Sequence, residues 1–462
     1  MESTTTYPTW EQSRQKLIGY ARRAPEETIL YRTIYHYRQD LEYQWDDVFK
    51  SHYGTLRREV LEAFDAYLDC GILAHGCARA YCDNCKHSAL IAFSCKRRGL
   101  CPSCDTKRGL IFAEHLDQNL LLALPHRHLV FTLPKRLRIY FKYNRGLCKY
   151  LYTAAWEAWS RYLSQLLPHL PFAHIALPKP GAVMALHTAG DLLHFHPHIH
   201  ALALDGVIDA TGRFARLPQC NLALIQAEFE NQIFNALLKE ELITDETVNT
   251  MRSWDHSGFS VYSAEPIEAT DHDARLFVAR YLKKSPIALD RLSIDESAPE
   301  PKIVCKRKLD DSEETRSFSP LEFLAELSAH IPNSWEQTTR FYGVYAARTR
   351  PLLEKADLML QAGTEIPQEP PEPSPELIES TPSTPVSKYW AHWIKKVYEV
   401  DPLQCPKCGS NMRIVALIHD PKEIKKLTTH LGIPQYRAPP PLKTPSLERR
   451  IIPDSVQPEL VD

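Results

Sequence analysis

The chain has 462 residues, more than one compact core usually holds, so two or three domains are expected. Lys and Arg total 55 against 57 Asp and Glu, a formal charge of −2, which excludes recognition of nucleic acid by bulk charge and leaves such contact to local patches. No apolar run reaches about eighteen residues, and Met1-Glu2-Ser3-Thr4-Thr5-Thr6 lacks the order of a secretory leader, so a cytoplasmic protein that neither spans a membrane nor is secreted is expected. The 12 cysteines then read as metal ligands or core residues, not as disulfides.

In chain order, the spacing of Leu56, Val60, Leu61, Phe64 and Leu68 predicts a helix over 56–70, with Gly71 as its C-terminal cap. Residues 106–123 carry a second helical pattern, and 126–133 reads as a strand stopped by Pro134. A helix over 141–167 follows. Residues 182–187 and 194–208 flank the turn-forming Ala189-Gly190-Asp191 and are predicted to be neighbouring antiparallel strands. Helical spacing returns at 222–242, a strand at 258–263 and a helix at about 271–283. Together these predict an α+β fold with helices on an antiparallel sheet. From Gly363 to Ser387 seven prolines stand among Glu, Ser and Thr, the composition of a disordered or extended linker. The stretch from Tyr389 to about His419 is compact and apolar again, and the tail with Pro439-Pro440-Pro441 is expected to be disordered.

Local charge is uneven. Lys96-Arg97-Arg98, Lys107-Arg108 and Lys135-Arg136, with Arg138, Lys142, Arg145 and Lys149, crowd into residues 96–149. Tyr140, Phe141, Tyr143, Tyr150 and Tyr152 interleave with them, a mixture that suits phosphate contact and stacking of unpaired bases, although an ordinary solvated face has the same charges.

The densest chemical signal is His194-Phe195-His196-Pro197-His198-Ile199-His200, which runs into Ala201-Leu202-Ala203-Leu204. Side chains alternate along a strand, so His198 and His200 share one face while Ile199 enters the core. Two neutral imidazoles on a rigid strand grip a divalent ion and leave positions open for a substrate oxygen. His196 lies on the same face but needs a bulge or bend to reach the same ion, and His187 on the partner strand and Asp191 in the turn are rival third ligands.

Cys82-x2-Cys85 and Cys101-x2-Cys104 lie fifteen residues apart, the spacing at which two thiolate knuckles close one structural, tetrahedral zinc site. Cys70, Cys77 and Cys95 lie nearby as substitute ligands or small core residues. Arg97 and Arg98 sit in the loop between the knuckles and are candidate DNA contacts. A second knuckle, Cys405-Pro406-Lys407-Cys408, has only two cysteines. It is either a metal-free turn or half of a site completed by ligands such as His392 or His419.

Residues 271–286 form an amphipathic segment in which Tyr281 is flanked by Arg280, Lys283 and Lys284 and ended by Pro286. Alone, this is a helix with a core tyrosine and solvated cations. Beside a metal site, the same hydroxyl can attack a phosphodiester while the cations offset the charge that develops.

These blocks together resemble the rolling-circle transposases of the insertion-sequence 91 type, which belong to the HUH endonucleases. The resemblance runs from about Cys70 to about Ala416. It is carried by the cysteine module with Phe93-Ser94-Cys95-Lys96, by Leu124-Pro125-His126-Arg127-His128 with Phe131-Thr132-Leu133-Pro134, and by His196-Pro197-His198-Ile199-His200. It continues through Ser257-Gly258-Phe259-Ser260-Val261, Arg280-Tyr281-Leu282, Phe341-Tyr342-Gly343-Val344 and Asp401-Pro402-Leu403-x-Cys405-Pro406-x-Cys408-Gly409. It implies an enzyme that nicks and rejoins single-stranded DNA at element ends, with Tyr281 as nucleophile and His198 and His200 holding Mg2+ or Mn2+; His196 is taken as the candidate third ligand. Zn2+ is implied in the cysteine module. Some family members carry two tyrosines four residues apart, and the earlier position here is Phe277, so a single nucleophile is expected, with Tyr262 as the competing second.

The organisation expected is an N-terminal helical region (1–69), a zinc-binding, DNA-contacting module (70–123), an HUH catalytic domain (124–362), a Pro-rich linker (363–387), a C-terminal CxxC segment (388–421) and a disordered tail (422–462). The alternatives are a plasmid replication initiator or relaxase of the same chemistry, and a zinc-dependent DNA-binding protein without catalysis. No Gly-x4-Gly-Lys-Ser/Thr loop of an accompanying helicase is present.

Overall fold

A computed structural model describes residues 24–166, 179–209, 214–217, 220–295, 297, 300–308, 312–349 and 403–442. The predicted linker and His392 lie outside the described residues. The N-terminal part holds helices α1 (Ile29–Gln44), α2 (Lys50–Tyr53) and α3 (Arg58–Asp69), strands β1 (Cys77–Tyr81) and β2 (Ser88–Ala92), and helix α4 (Pro102–Asn119). Next come β3 (His126–Thr132), α5 (Arg138–Tyr143), α6 (Cys148–Leu166), β4 (Gly181–Ala189), β5 (Phe195–Leu204), β6 (Gly206–Ile208) and β7 (Phe214–Arg216). They are followed by α7 (Leu222–Lys239), α8 (Asp245–Arg252), β8 (Ser260–Ser263) and α9 (His272–Tyr281). The remainder is β9 (Leu292–Asp295), β10 (Lys302–Lys308), β11 (Glu313–Phe318), α10 (Pro320–Ser328), β12 (Thr339–Gly343), β13 (Arg413–Ile418) and α11 (Pro421–His430).

The organising element is β5, whose near-continuous apolar run Ile199–Leu204 is what a central strand covered on both faces requires. It pairs antiparallel with β4 and β3, and the five strands run in the order β12-β4-β5-β3-β8. Odd residues of β5 (Ile199, Ala201, Ala203) share a core with α6 and α7 through Trp159, Phe229 and Phe234. Even residues Leu202 and Leu204, with Val183 and Ala185 of β4, pack instead on α4 and α9 through Ala113, Leu116, Val278 and Ala279. The α+β fold expected from the sequence is thus present, with helices on both faces of an antiparallel sheet.

Three expectations change. Helix α4, assigned to the cysteine module, covers one face of the central sheet, so no boundary falls at residue 123. The tail does not begin at 422: α11 packs by Ile424 against Leu73 and Cys77, and Tyr436 donates or accepts a hydrogen bond with Tyr31 at 3.0 Å. Finally, Phe141 and Tyr152 are 0% and 1% exposed in the core, so they are not base-stacking residues; helical spacing had hidden their inward direction.

Candidate metal centre and nucleophile

The register of the sheet assembles the histidines. His187 of β4 stands directly opposite His198 of β5, and His200 stands opposite Ala185 on β4 and Val130 on β3. All three imidazoles point to the face that carries α4 and α9. One ligand nitrogen from each of His187, His198 and His200 lies within 4.8 Å of the others. Their ring centroids are 4.3 Å (His187 to His200), 4.8 Å (His198 to His200) and 5.5 Å (His187 to His198) apart.

The expected triad of His196, His198 and His200 is therefore corrected. His196 has its ring centroid 4.9 Å from that of His198 and lines the same cleft, but it is not part of the group whose ligand atoms all lie within 4.8 Å of one another, which the cross-strand neighbour His187 completes. Asp191 is drawn away by Arg291 and Arg307, each at 3.3 Å.

The donor set fits a divalent ion. The Nε2 atoms of His187 and His200 are buried and without a hydrogen-bond partner, and Nδ1 of His198 bonds the carbonyl of His196 at 2.6 Å, which leaves its Nε2 free. Burial pushes His187 down to about 3, with the neighbouring His198 adding to the effect, and pulls His198 and His200 down as well. The three rings are consequently neutral near pH 7, the protonation state a metal needs. His128 of β3 is a further member of the site. Its Nε2 lies 3.0 Å from Nδ1 of His200 with the two ring planes within 17° of parallel, so a His200 that offers Nε2 outward donates Nδ1–H to His128. Burial lowers His128 to about 4, consistent with an acceptor nitrogen.

Tyr281 is delivered by α9. The helix starts at Asp271, whose side chain accepts from Ala274 N–H, and buries Arg275, Val278, Ala279 and Leu282 at helical spacing. Tyr281 closes its last turn with its ring centroid 4.9 Å from His200, 5.6 Å from His187 and 6.2 Å from His128. A cleft of about 370 Å3 opens here, lined by the three histidines, Tyr281, Lys284 and Arg108. Phe277 is 69% exposed one turn earlier, and Tyr262 is exposed on the edge strand β8.

The five predicted DNA contacts separate. Lys284 is exposed with its Nζ 5.0 Å from the Tyr281 ring centroid, and Arg280 is exposed. Arg97 is exposed beside Glu62 at 3.8 Å. Arg98 donates to the carbonyls of Glu336 at 2.7 Å and Asn333 at 3.4 Å, and lines the cleft. Lys283 is turned inward, over the Phe112 ring and donating to Thr339 Oγ1 at 2.5 Å; burial and the nearby Arg108 and Arg98 push it down to about 8.

The cysteines also regroup. Cys101 and Cys104, at the start of α4, cluster with Cys70 and Cys95, at Sγ separations of 3.5–3.8 Å. Zn–S bonds of about 2.3 Å give a tetrahedron with edges of about 3.8 Å, so this set fits a zinc ion. Cys82 and Cys85 are elsewhere, with Cys405 and Cys408. The single site of Cys82, Cys85, Cys101 and Cys104 does not form, because β2 carries the chain between the two knuckles away from β1's end and brings Cys95 back to Cys70.

Known proteins share these parts. Residues 41–133 match the family described as transposase zinc-binding domain, and 181–351 match the one described as putative transposase. The transposase for insertion sequence element IS801 of Pseudomonas savastanoi pv. phaseolicola is 26% identical over 384 residues, 79% of this chain and 85% of that one. The putative transposase y4qJ of Sinorhizobium fredii is 29% identical over 161 residues, 34% of this chain and 37% of that one. No solved structure matches. Among the described residues no helix is long and apolar enough to cross a membrane.

Proposed function

The chain belongs to the transposases of the insertion-sequence 91 family, with a zinc-binding domain in its N-terminal part, and from that premise we propose that it cuts and rejoins single-stranded DNA through a covalent bond to Tyr281. The observation that carries this reading is the placing of a tyrosine ring against three neutral imidazoles, two of which, His187 and His200, have an unpaired, buried nitrogen. His187, His198 and His200 would hold Mg2+ or Mn2+, which supplies polarisation of the scissile phosphate. His128 holds the His200 ring so that Nε2 faces the cleft. The Tyr281 oxygen bonds to phosphorus, the bond from phosphorus to the leaving strand's oxygen breaks, and the phenolic proton passes to solvent. Lys284 beside the ring offsets the charge on the phosphoryl oxygens. Attack by a strand hydroxyl on the phosphotyrosine reverses the step and rejoins DNA without external energy, as rolling-circle transposition requires.

The test is cleavage of labelled single-stranded and duplex DNA from the element's ends with Mn2+. Wild type should nick only the single strand, and His187→Ala should lose at least a hundredfold in rate while retaining most DNA affinity, which comes from distributed cations. Full cleavage by His187→Ala would refute the metal-centred reading.

A further inference from the structure

Cys82 and Cys85 lie within the zinc-binding match at 41–133, whereas Cys405 and Cys408, which the structure gathers with them, lie far beyond its end. We propose that they form a second structural zinc site, closed only when the C-terminal segment docks on the N-terminal module. The sulfurs lie within 4.8 Å of one another, with Cys82 to Cys408 at 3.5 Å and Cys85 to Cys405 at 3.4 Å, close to the edge of a zinc–thiolate tetrahedron.

The backbone supports a built site. Each cysteine pair lies on a turn of the same construction: Lys86 N–H donates to Cys82 O and Gly409 N–H to Cys405 O, both at 2.9 Å, while Cys82 N–H donates to His87 O and Cys405 N–H to Ser410 O, both at 2.8 Å. Lys86 and Gly409, the residues after the second cysteine of each pair, share the left-handed conformation at φ 61° and 73°. Such a turn is costly for a lysine, and it aims both sulfurs of a pair at one point. Two knuckles of one shape, facing each other, make a four-thiolate site with no open position.

The surroundings seat the two halves. Strand β13 pairs antiparallel with β1, Arg413 pairs with Asp83 at 2.8 Å, and Asn84 donates to Ser410 Oγ at 3.1 Å. The apolar contribution is small: Ala80, Cys82, Ile91, Cys405 and Met412 are the buried members of this cluster. A cross-link adds to the docking made by β13 and by Ile424 of α11, and Cys85 and Cys405 are 320 positions apart, a loop long enough for a cross-link to restrict the unfolded chain strongly. Zinc here ties the two ends of the described chain into one unit.

The experiment uses the full chain as purified, with zinc counted by elemental analysis and cysteines mapped by alkylation and mass spectrometry. Cys405→Ser/Cys408→Ser should hold one zinc fewer than wild type. In wild type, exposed Cys85 should resist alkylation; in the double variant Cys82 and Cys85 should become reactive while Cys95 stays protected. Cys408→His, which keeps a ligand, should restore the zinc and the protection of Cys85. An unchanged zinc count in the double variant, or rapid alkylation of Cys85 in wild type, overturns the proposal. Simultaneous loss of protection at Cys95 that Cys408→His does not repair also counts against it, because the two sites would then be one.

Discussion

At the scale of single residues, the neighbours of His198 decide which imidazole completes the proposed metal centre. His187 is brought by cross-strand pairing within reach of both His198 and His200, while His196, whose ring neighbours that of His198 at 4.9 Å, is not part of that group. Replacing His187 by Ala should weaken Mn2+ binding by tenfold or more in titration calorimetry, whereas His196→Ala should change it by less than about threefold; the opposite ranking would restore the strand-only triad. Lys283 gives a second residue-scale prediction. Its value of about 8 lies below that of an ordinary lysine, so folding penalises the charged form. The cost is fully present below about pH 8 and fades as pH rises towards the ordinary value, on the order of 1–3 kcal/mol in all. Lys283→Met keeps an apolar stem over Phe112 and removes the ammonium. Its unfolding midpoint relative to wild type should fall as pH is raised from 7.5 to 10, and a difference that does not vary with pH would contradict a desolvated ammonium.

At the scale of elements, the packing of α4 on α9 connects the first cysteine cluster to Tyr281. Cys101 and Cys104 anchor the start of α4, Asp117 near its end pairs with the buried Arg275 of α9 at 2.8 Å, and Gly109 lies where the two helices come closest. A Cβ at Gly109 would stand 3.4 Å from the Arg280 carbonyl and 3.6 Å from Lys283 Cβ. Gly109→Ala should therefore be tolerated and, by its helix propensity, stabilise by about 0.5–1 kcal/mol. Gly109→Val has no room, moves the turn that holds Tyr281, and should cut covalent adduct formation about tenfold or more with zinc content unchanged. A fully active Gly109→Val would show that the helix contact does not position the tyrosine. Much of this layer is legible in the sequence: the alternation in residues 194–204 predicts β5 and its shared His198–His200 face, and the spacing in 271–283 predicts α9. The third ligand is not, because His187 becomes a neighbour only through the register of two strands. The cysteine pairing is hidden for the same reason, since fifteen residues between knuckles imitate a local site while the true partners come from Cys70, Cys95 and the far end of the chain. Strand β10, Lys302–Lys308, escapes notice because its four cations mask the buried Ile303 and Cys305.

At the scale of the whole molecule, the cysteine clusters are scaffolding for chemistry on the other side of α4. Cys101→Ser should release the zinc of the first cluster, loosen the start of α4 and lower adduct formation about tenfold or more, although none of the four cysteines of that cluster lines the cleft; normal adduct yield in zinc-depleted protein would separate module from catalysis. The reading of the molecule as a DNA-cleaving enzyme rests most heavily on the Tyr281 hydroxyl. Its direct measurement is to trap the protein on single-stranded DNA from the element's ends, digest it and locate the nucleotide-bearing peptide by mass spectrometry. The arrangement predicts one modified residue, Tyr281, with no adduct in Tyr281→Phe; an adduct on Tyr262, or one persisting in Tyr281→Phe, would contradict it.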